Sequence, residues 1–194
     1  MPIRNIPIQN RSVAGYFYSY KNAKTIAYES QLEKKCFLML EFDKNVVSYE
    51  EQPLKINTYI PDVLVKKKKD YNLLIEVKYS KEINNMSMKL KNKLEAFQNF
   101  CNKKKWEFKV FTENEIIQPY FNNITFLYRY VKIPIKNENK IFDFIRHREK
   151  TNIKTLMSNN FDIKEIYSLL AQGKLETNLF KKLNQFSIIK VCYA

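Results

Sequence analysis

The chain has 194 residues, with 34 Lys and Arg against 20 Asp and Glu (formal net charge +14), 45% hydrophobic and 14% aromatic residues. That gives room for one full domain, or one with a small appendage, and enough apolar content for a real core, which excludes a wholly disordered chain. Gly15 and Gly173 are the only two glycines, so glycine-rich phosphate loops and dinucleotide fingerprints are excluded as well.

Residues 1–27 hold short aromatic-rich pieces such as Gly15-Tyr16-Phe17-Tyr18 and predict an arm with a hairpin. Ser30 with Glu33 three residues on forms a capping-box pattern, and Leu32, Cys36, Met39 and Leu40 recur at helical spacing, so a helix is predicted to end near Asp43. Strands are predicted over 46–52, 54–59, 62–65 and 72–79, with Pro53 as a break and the lysine-rich run 66–70 as a solvated turn. Met86, Leu90, Leu94, Phe97 and Cys101, with lysines between them, mark a helix over 84–102. The alternating run Trp106–Phe111 is a strand, Thr112 caps a short helix that stops at Pro119, and 124–131 reads as an edge strand. A helix of this length between strands implies a crossover, hence an α/β mixed sheet flanked by helices.

Beyond Pro134 the texture turns helical, with pieces expected near 139–158, 163–171 and 177–186 and a last strand over 186–191. Asp162 with Glu165 boxes the middle helix and Gly173 stops it. Two short helices and a strand suit a helix-turn-helix or winged-helix module, and equally a plain helical cap on the sheet. The predicted domains are 1–131 and a small helical, DNA- or partner-binding domain over 132–194.

Asp62, Glu76 and Lys78 are the residues best placed for chemistry. Glu76 and Lys78 are two apart in a strand and so share a face, and a turn through 66–70 would lay the Asp62 strand beside them. Paired carboxylates with no His or Cys nearby are hard oxygen ligands for Mg2+ or Mn2+, and a nearby lysine can place water or stabilise charge at a phosphate. The bland alternative is a surface ion pair of little worth in a charge-rich chain. Against it, Ile75-Glu76-Val77-Lys78 follows an apolar run where a central strand is expected, and burying charge there is costly without a purpose. Glu33 is a third carboxylate, either the capping partner of Ser30 or a glutamate that completes the acidic cluster.

In order, the chain reads Tyr28-Glu29-Ser30-Gln31-Leu32-Glu33, Leu40-Glu41-Phe42-Asp43, Glu51-Gln52-Pro53, Ile60-Pro61-Asp62-Val63-Leu64-Val65 and Ile75-Glu76-Val77-Lys78. This series resembles the N-terminal domain of the TnsA endonuclease family over about residues 10–130. The resemblance implies a restriction-endonuclease-like core and a Mg2+- or Mn2+-dependent cut of double-stranded DNA, one strand at each transposon end. It matches Glu33 to the helix glutamate, Asp62 to the metal-binding aspartate, Glu76 to the Glu/Gln position and Lys78 to the catalytic lysine, with Asp62, Glu76 and Glu33 as metal ligands. It further implies a transposase subunit and an ATP-dependent regulator as partners, the latter contacted through residues 131–194. A free-standing phage or restriction-type nuclease of the same fold, or an inactive DNA-binding subunit, are the rivals.

The basic excess suits a polyanion, since each Lys or Arg set against a phosphate releases counterions. A composition rich in Lys, Asn and Ile would also arise from AT-rich coding, so charge leaves both open. The three cysteines are distant and odd in number, which fits a reducing cytoplasm better than a zinc cluster or disulfide framework, and Cys36 is expected in the core. His147 is the lone histidine, inside a charged run, so a His-based site is not expected. No apolar run is long enough for a membrane span and the start lacks a signal-peptide core, so a soluble cytoplasmic protein without a small-molecule cofactor is expected. Arg11 with Tyr16, and Lys103–Lys105 with Trp106, either touch nucleic acid or are surface charges over core aromatics.

Overall fold

The aromatic run near the start pairs with the next apolar stretch as an antiparallel hairpin, β1 (Gly15–Ser19) and β2 (Lys24–Tyr28), in a computed structural model that describes residues 14–148 and 150–192. The arm predicted ahead of this hairpin, with Arg11, lies outside the described residues. Helix α1 (Gln31–Phe42) follows. The Ser30 hydroxyl caps it by accepting from the Glu33 N–H at 3.1 Å, satisfying a donor that the first turn leaves without a helical partner. Its buried side chains are Leu32, Cys36, Phe37, Leu38 and Leu40, which places Cys36 in the core as expected.

The central sheet has four strands in the order β3 (Val46–Glu51), β4 (Val63–Lys67), β5 (Tyr71–Val77) and β6 (Glu107–Phe111). The first two pairings are antiparallel, and β5 with β6 is parallel. The parallel pair requires a crossover, made here by α2 (Ser80–Asn84) and α3 (Met88–Lys104). The strand predicted over 54–59 does not form. That segment keeps one bridge, Ile56 with Tyr59, closed around Asn57 at φ 53°. Pro53 and Pro61 flank it and have no N–H to give a ladder, so it folds as a tight loop.

Helices cover both faces of the sheet. Tyr49, Val65 and Leu73 are cross-strand partners and share a face, and Tyr49 stacks on Phe37 of α1 with centroids 5.7 Å apart. Leu64 and Leu74 share the other face, where Leu74 packs with Phe97 and Cys101 of α3. Trp106 lies against this second cluster and makes an edge contact with Phe100, so its apolar body belongs to the core.

A first compact unit runs to Ile116 and a second begins at Ile117. In the second, α4 (Tyr120–Tyr128) occupies the stretch whose β-branched residues predict an edge strand. Pro119 starts it, and Asn123, Ile124 and Leu127 are buried at helical spacing, so packing overrides strand propensity. The helix expected over 139–158 is broken into α5 (Glu138–Arg146), a short β7 (Thr151–Asn152) and α6 (Ile153–Ser158). Helix α7 (Ile163–Ala171) forms as predicted, capped by Asp162 and closed by Gly173 at φ 70°. No helix forms over 177–186. That segment is an irregular connection from β8 (Leu175–Glu176) to β9 (Ile188–Val191), and Asn123 anchors it by donating to the carbonyls of Leu179 and Lys181, both at 2.8 Å. The three short strands form a sheet in the order β7-β9-β8, so the unit is helices plus a small sheet. Among the described residues no helix is long and apolar enough to cross a membrane.

Candidate active site

The β4–β5 hairpin sets the site. Its register pairs Lys67 with Tyr71 at the turn and Val63 with Ile75 at the open end. One further step puts Asp62 across from Glu76, and alternation aims both toward the face of Leu64 and Leu74, beneath α3. The hairpin is stitched at this end: the Asp62 Oδ2 accepts from the Val77 N–H at 2.7 Å, and the Asp62 carbonyl accepts from the Gln52 N–H at 3.0 Å. Lys78 leaves the strand with its N–H donating to the Phe111 carbonyl at 3.0 Å, so the parallel neighbour β6 fixes its backbone.

Three oxygens from this corner meet on one ammonium. The Lys78 Nζ lies 2.8 Å from Glu76 Oε1, 2.8 Å from the Val77 carbonyl and 3.7 Å from Asp62 Oδ2. Glu76 is 0% exposed, and its Oε2 is buried without a hydrogen-bond partner. Leaving a carboxylate oxygen unmatched in the interior is expensive and marks a place where a donor or cation belongs.

A second lysine, Lys93 on α3, also reaches Glu76 Oε1, at 2.5 Å. In the sequence it is one of the lysines between the apolar positions of that helix. Its cue is its spacing: it lies four residues before Phe97, which packs on the sheet, so the two share the inward face.

Glu33 behaves differently. Its carboxylate accepts from the Glu29 N–H at 2.8 Å and from the Ser30 hydroxyl at 3.0 Å, at the head of α1, and α1 covers the opposite face of the sheet from Glu76. Its charge is still felt at Asp62. Burial raises the Glu33 pKa above the usual carboxylate value, against the lowering effect of those two hydrogen bonds.

The electrostatics of the corner are those of crowded acids. Burial first, and the Glu76 charge second, push the Asp62 pKa up to about 7, with Lys78 pulling the other way. Burial works to lower the Lys78 ammonium, but Asp62 and Glu76 outweigh it and hold it above the ordinary lysine value. An acid whose folded pKa is raised stabilises the fold below its unfolded value of 3.8, and that contribution is lost as pH rises through about 7. In chelator, the melting temperature is therefore expected to fall by on the order of 5 °C between pH 5 and pH 8. Asp62→Asn should flatten that slope, and an unchanged slope in the variant would show that Asp62 is not its source.

Among the described residues, no three of Asp, Glu, His and Cys gather into a group that could hold a metal on their own. The donors that do meet are the Asp62 and Glu76 carboxylates and the Val77 carbonyl, all hard oxygens around a cation. With the unmatched Glu76 Oε2, this set fits a hard divalent ion such as Mg2+ or Mn2+ better than a thiophilic one. His147 belongs to the second unit and is exposed, with Nδ1 2.6 Å from the Asp143 carbonyl.

Residues 17–113 match the model of a family described as TnsA-like endonuclease N terminal. No curated protein matches the chain.

Proposed function

The chain belongs to the TnsA-like endonuclease family, and from that premise we propose that it is a metal-dependent DNA endonuclease with its active site at the open end of the β4–β5 hairpin. A family of endonucleases makes DNA the substrate and phosphodiester hydrolysis the reaction. The observation that carries the assignment to this corner is the meeting of Asp62, Glu76 and the Val77 carbonyl on the Lys78 ammonium, beside a buried carboxylate oxygen without a partner.

Asp62, Glu76 and the Val77 carbonyl are the donors that would hold Mg2+ or Mn2+. When bound, such an ion supplies Lewis-acid neutralisation of charge at the phosphodiester. Lys78 offers donors and a fixed positive charge to the attacked phosphate or to the incoming water. The hairpin register and the Val77 N–H hold Asp62 in place, so little reorganisation is needed on binding. Glu33 acts through space, its charge adding to the field at Asp62.

Within the second unit, the order α5, β7, α6, α7, β8, β9 with sheet order β7-β9-β8 supports a winged-helix reading. The connection between β8 and β9 would be the wing, and its exposed Phe180 and Phe186 with Lys181 and Lys182 suit contact with DNA or a protein partner. In the transposition setting, this nuclease would cut one strand at each transposon end beside a transposase subunit and an ATP-dependent regulator.

Divalent-ion titration tests the reading without depending on any partner. Wild-type protein is expected to bind Mn2+ calorimetrically in the low-millimolar range or tighter, and Asp62→Asn to lose that binding. A flat trace for the wild type would instead indicate a nuclease fold kept for DNA binding or assembly.

A further inference from the structure

Lys93 plays no part in the chemistry above, yet it is built into the corner. It enters from α3, with its ammonium 5.4 Å from the Phe97 ring centroid and 2.5 Å from Glu76 Oε1. Lys78 holds the same oxygen at 2.8 Å while also serving Asp62. Two carboxylates are thus matched by two ammonium groups, and Glu76, which is 0% exposed, takes both. A helix lysine needed only for solubility would extend into water, and holding it at 19% side-chain exposure costs desolvation. Lys78 alone would leave the corner one positive charge short, because it divides its attention between Asp62 and Glu76. Lys93 makes up the difference.

We propose that Lys93 is a second lysine of the active site, a positioning residue that acts as the tethered counter-ion of Glu76 and competes with a divalent cation for that carboxylate. The inference rests on the nuclease reading. A divalent ion that claims Glu76 must displace the Lys93 ammonium, so the lysine sets a threshold on ion loading. The displaced ammonium is left at the rim of the site, where a DNA phosphate is its natural partner. Ion loading and DNA binding thereby favour each other, since each relieves a charge that the other introduces.

The test is calorimetric titration of Mn2+ into the DNA-free protein. Lys93→Met is expected to bind Mn2+ about tenfold more tightly than wild type, because a competing charge in near contact is gone. Lys93→Arg, which keeps the charge, should stay within about twofold of wild type. Lys91→Met on the exposed side of the same helix removes an equal charge away from the site and should change little. A purely structural role for Lys93 would alter the melting temperature but not the order of these affinities. Should Lys93→Met fail to fold, Lys93→Gln keeps a donor to Glu76 without the charge and carries the same expectation. If Lys93→Met, or Lys93→Gln in its place, binds no more tightly than Lys91→Met, the inference is overturned while the nuclease reading stands. If wild-type protein binds no Mn2+ at all, both fall together.

Discussion

Asp62→Asn and Lys78→Ala are each expected to lower DNA strand cleavage by about a thousandfold or more, in whatever assembly supports cutting by the wild type, while leaving the fold intact. Asparagine keeps the size of Asp62 and an oxygen for the Val77 N–H, which it meets at 2.7 Å, so the hairpin end should stay stitched. What it loses is the negative charge that a divalent ion needs. Lys78→Ala removes the ammonium on which Asp62 Oδ2, Glu76 Oε1 and the Val77 carbonyl meet. Because Asp62 is an acid held ionised against burial and a like charge, its asparagine variant should melt no lower than wild type at pH 8. Quantifying nicked product against time, with circular dichroism as the folding control, reads both effects. Cleavage within about tenfold of wild type in either variant would remove that residue from the mechanism.

The second large effect is on stability. Glu76→Ala should cost about 3 kcal/mol, because it strips the shared counter-ion from two ammonium groups in a largely dry corner. Lys78 and Lys93 retain 23% and 19% side-chain exposure, so each can recover part of the loss by turning toward water. Glu76→Gln keeps an acceptor at the position of Oε1 and should cost distinctly less. Urea midpoints for the three proteins measure the order. An alanine variant within about 0.5 kcal/mol of wild type would mean that the ion pairs offset only their own burial.

Much of this corner can be read in the sequence, and the reasons are local. The Ser30 cap, the inward stripe of α1 and the apolar run of β5 each announce themselves over a few residues, and Asp62, Glu76 and Lys78 are set by strand spacing and one hairpin register. Glu33 shows the limit of such cues. Its capping pattern is visible, but which face of the sheet α1 covers depends on Tyr49 stacking on Phe37, a contact between separate elements. Spacing from Phe97 puts Lys93 on the inward face of α3, but its contact with Glu76 comes from packing α3 across the strand that carries that residue. In the second unit, the run 124–131 has strand-like residues yet is helical through Tyr128, because burial of Asn123, Ile124 and Leu127 decides the matter. The stretch 177–186 has helix-like composition, but three hydrogen bonds to the buried Asn123 side chain hold it in an irregular path.

The turn of the β4–β5 hairpin, Lys68–Asp70, carries two left-handed residues, Lys69 at φ 63° and Asp70 at φ 54°. It sits at the end of the ladder opposite Asp62, roughly 16 Å away by the rise of five strand residues. The apolar faces of both strands, rather than the loop, hold the register, so the loop can change length without moving the reactive corner. That separation makes residues 68–70 a natural graft point. A fluorophore or affinity peptide inserted there would travel with the rigid frame of the proposed active site without touching Asp62, Glu76 or Lys78.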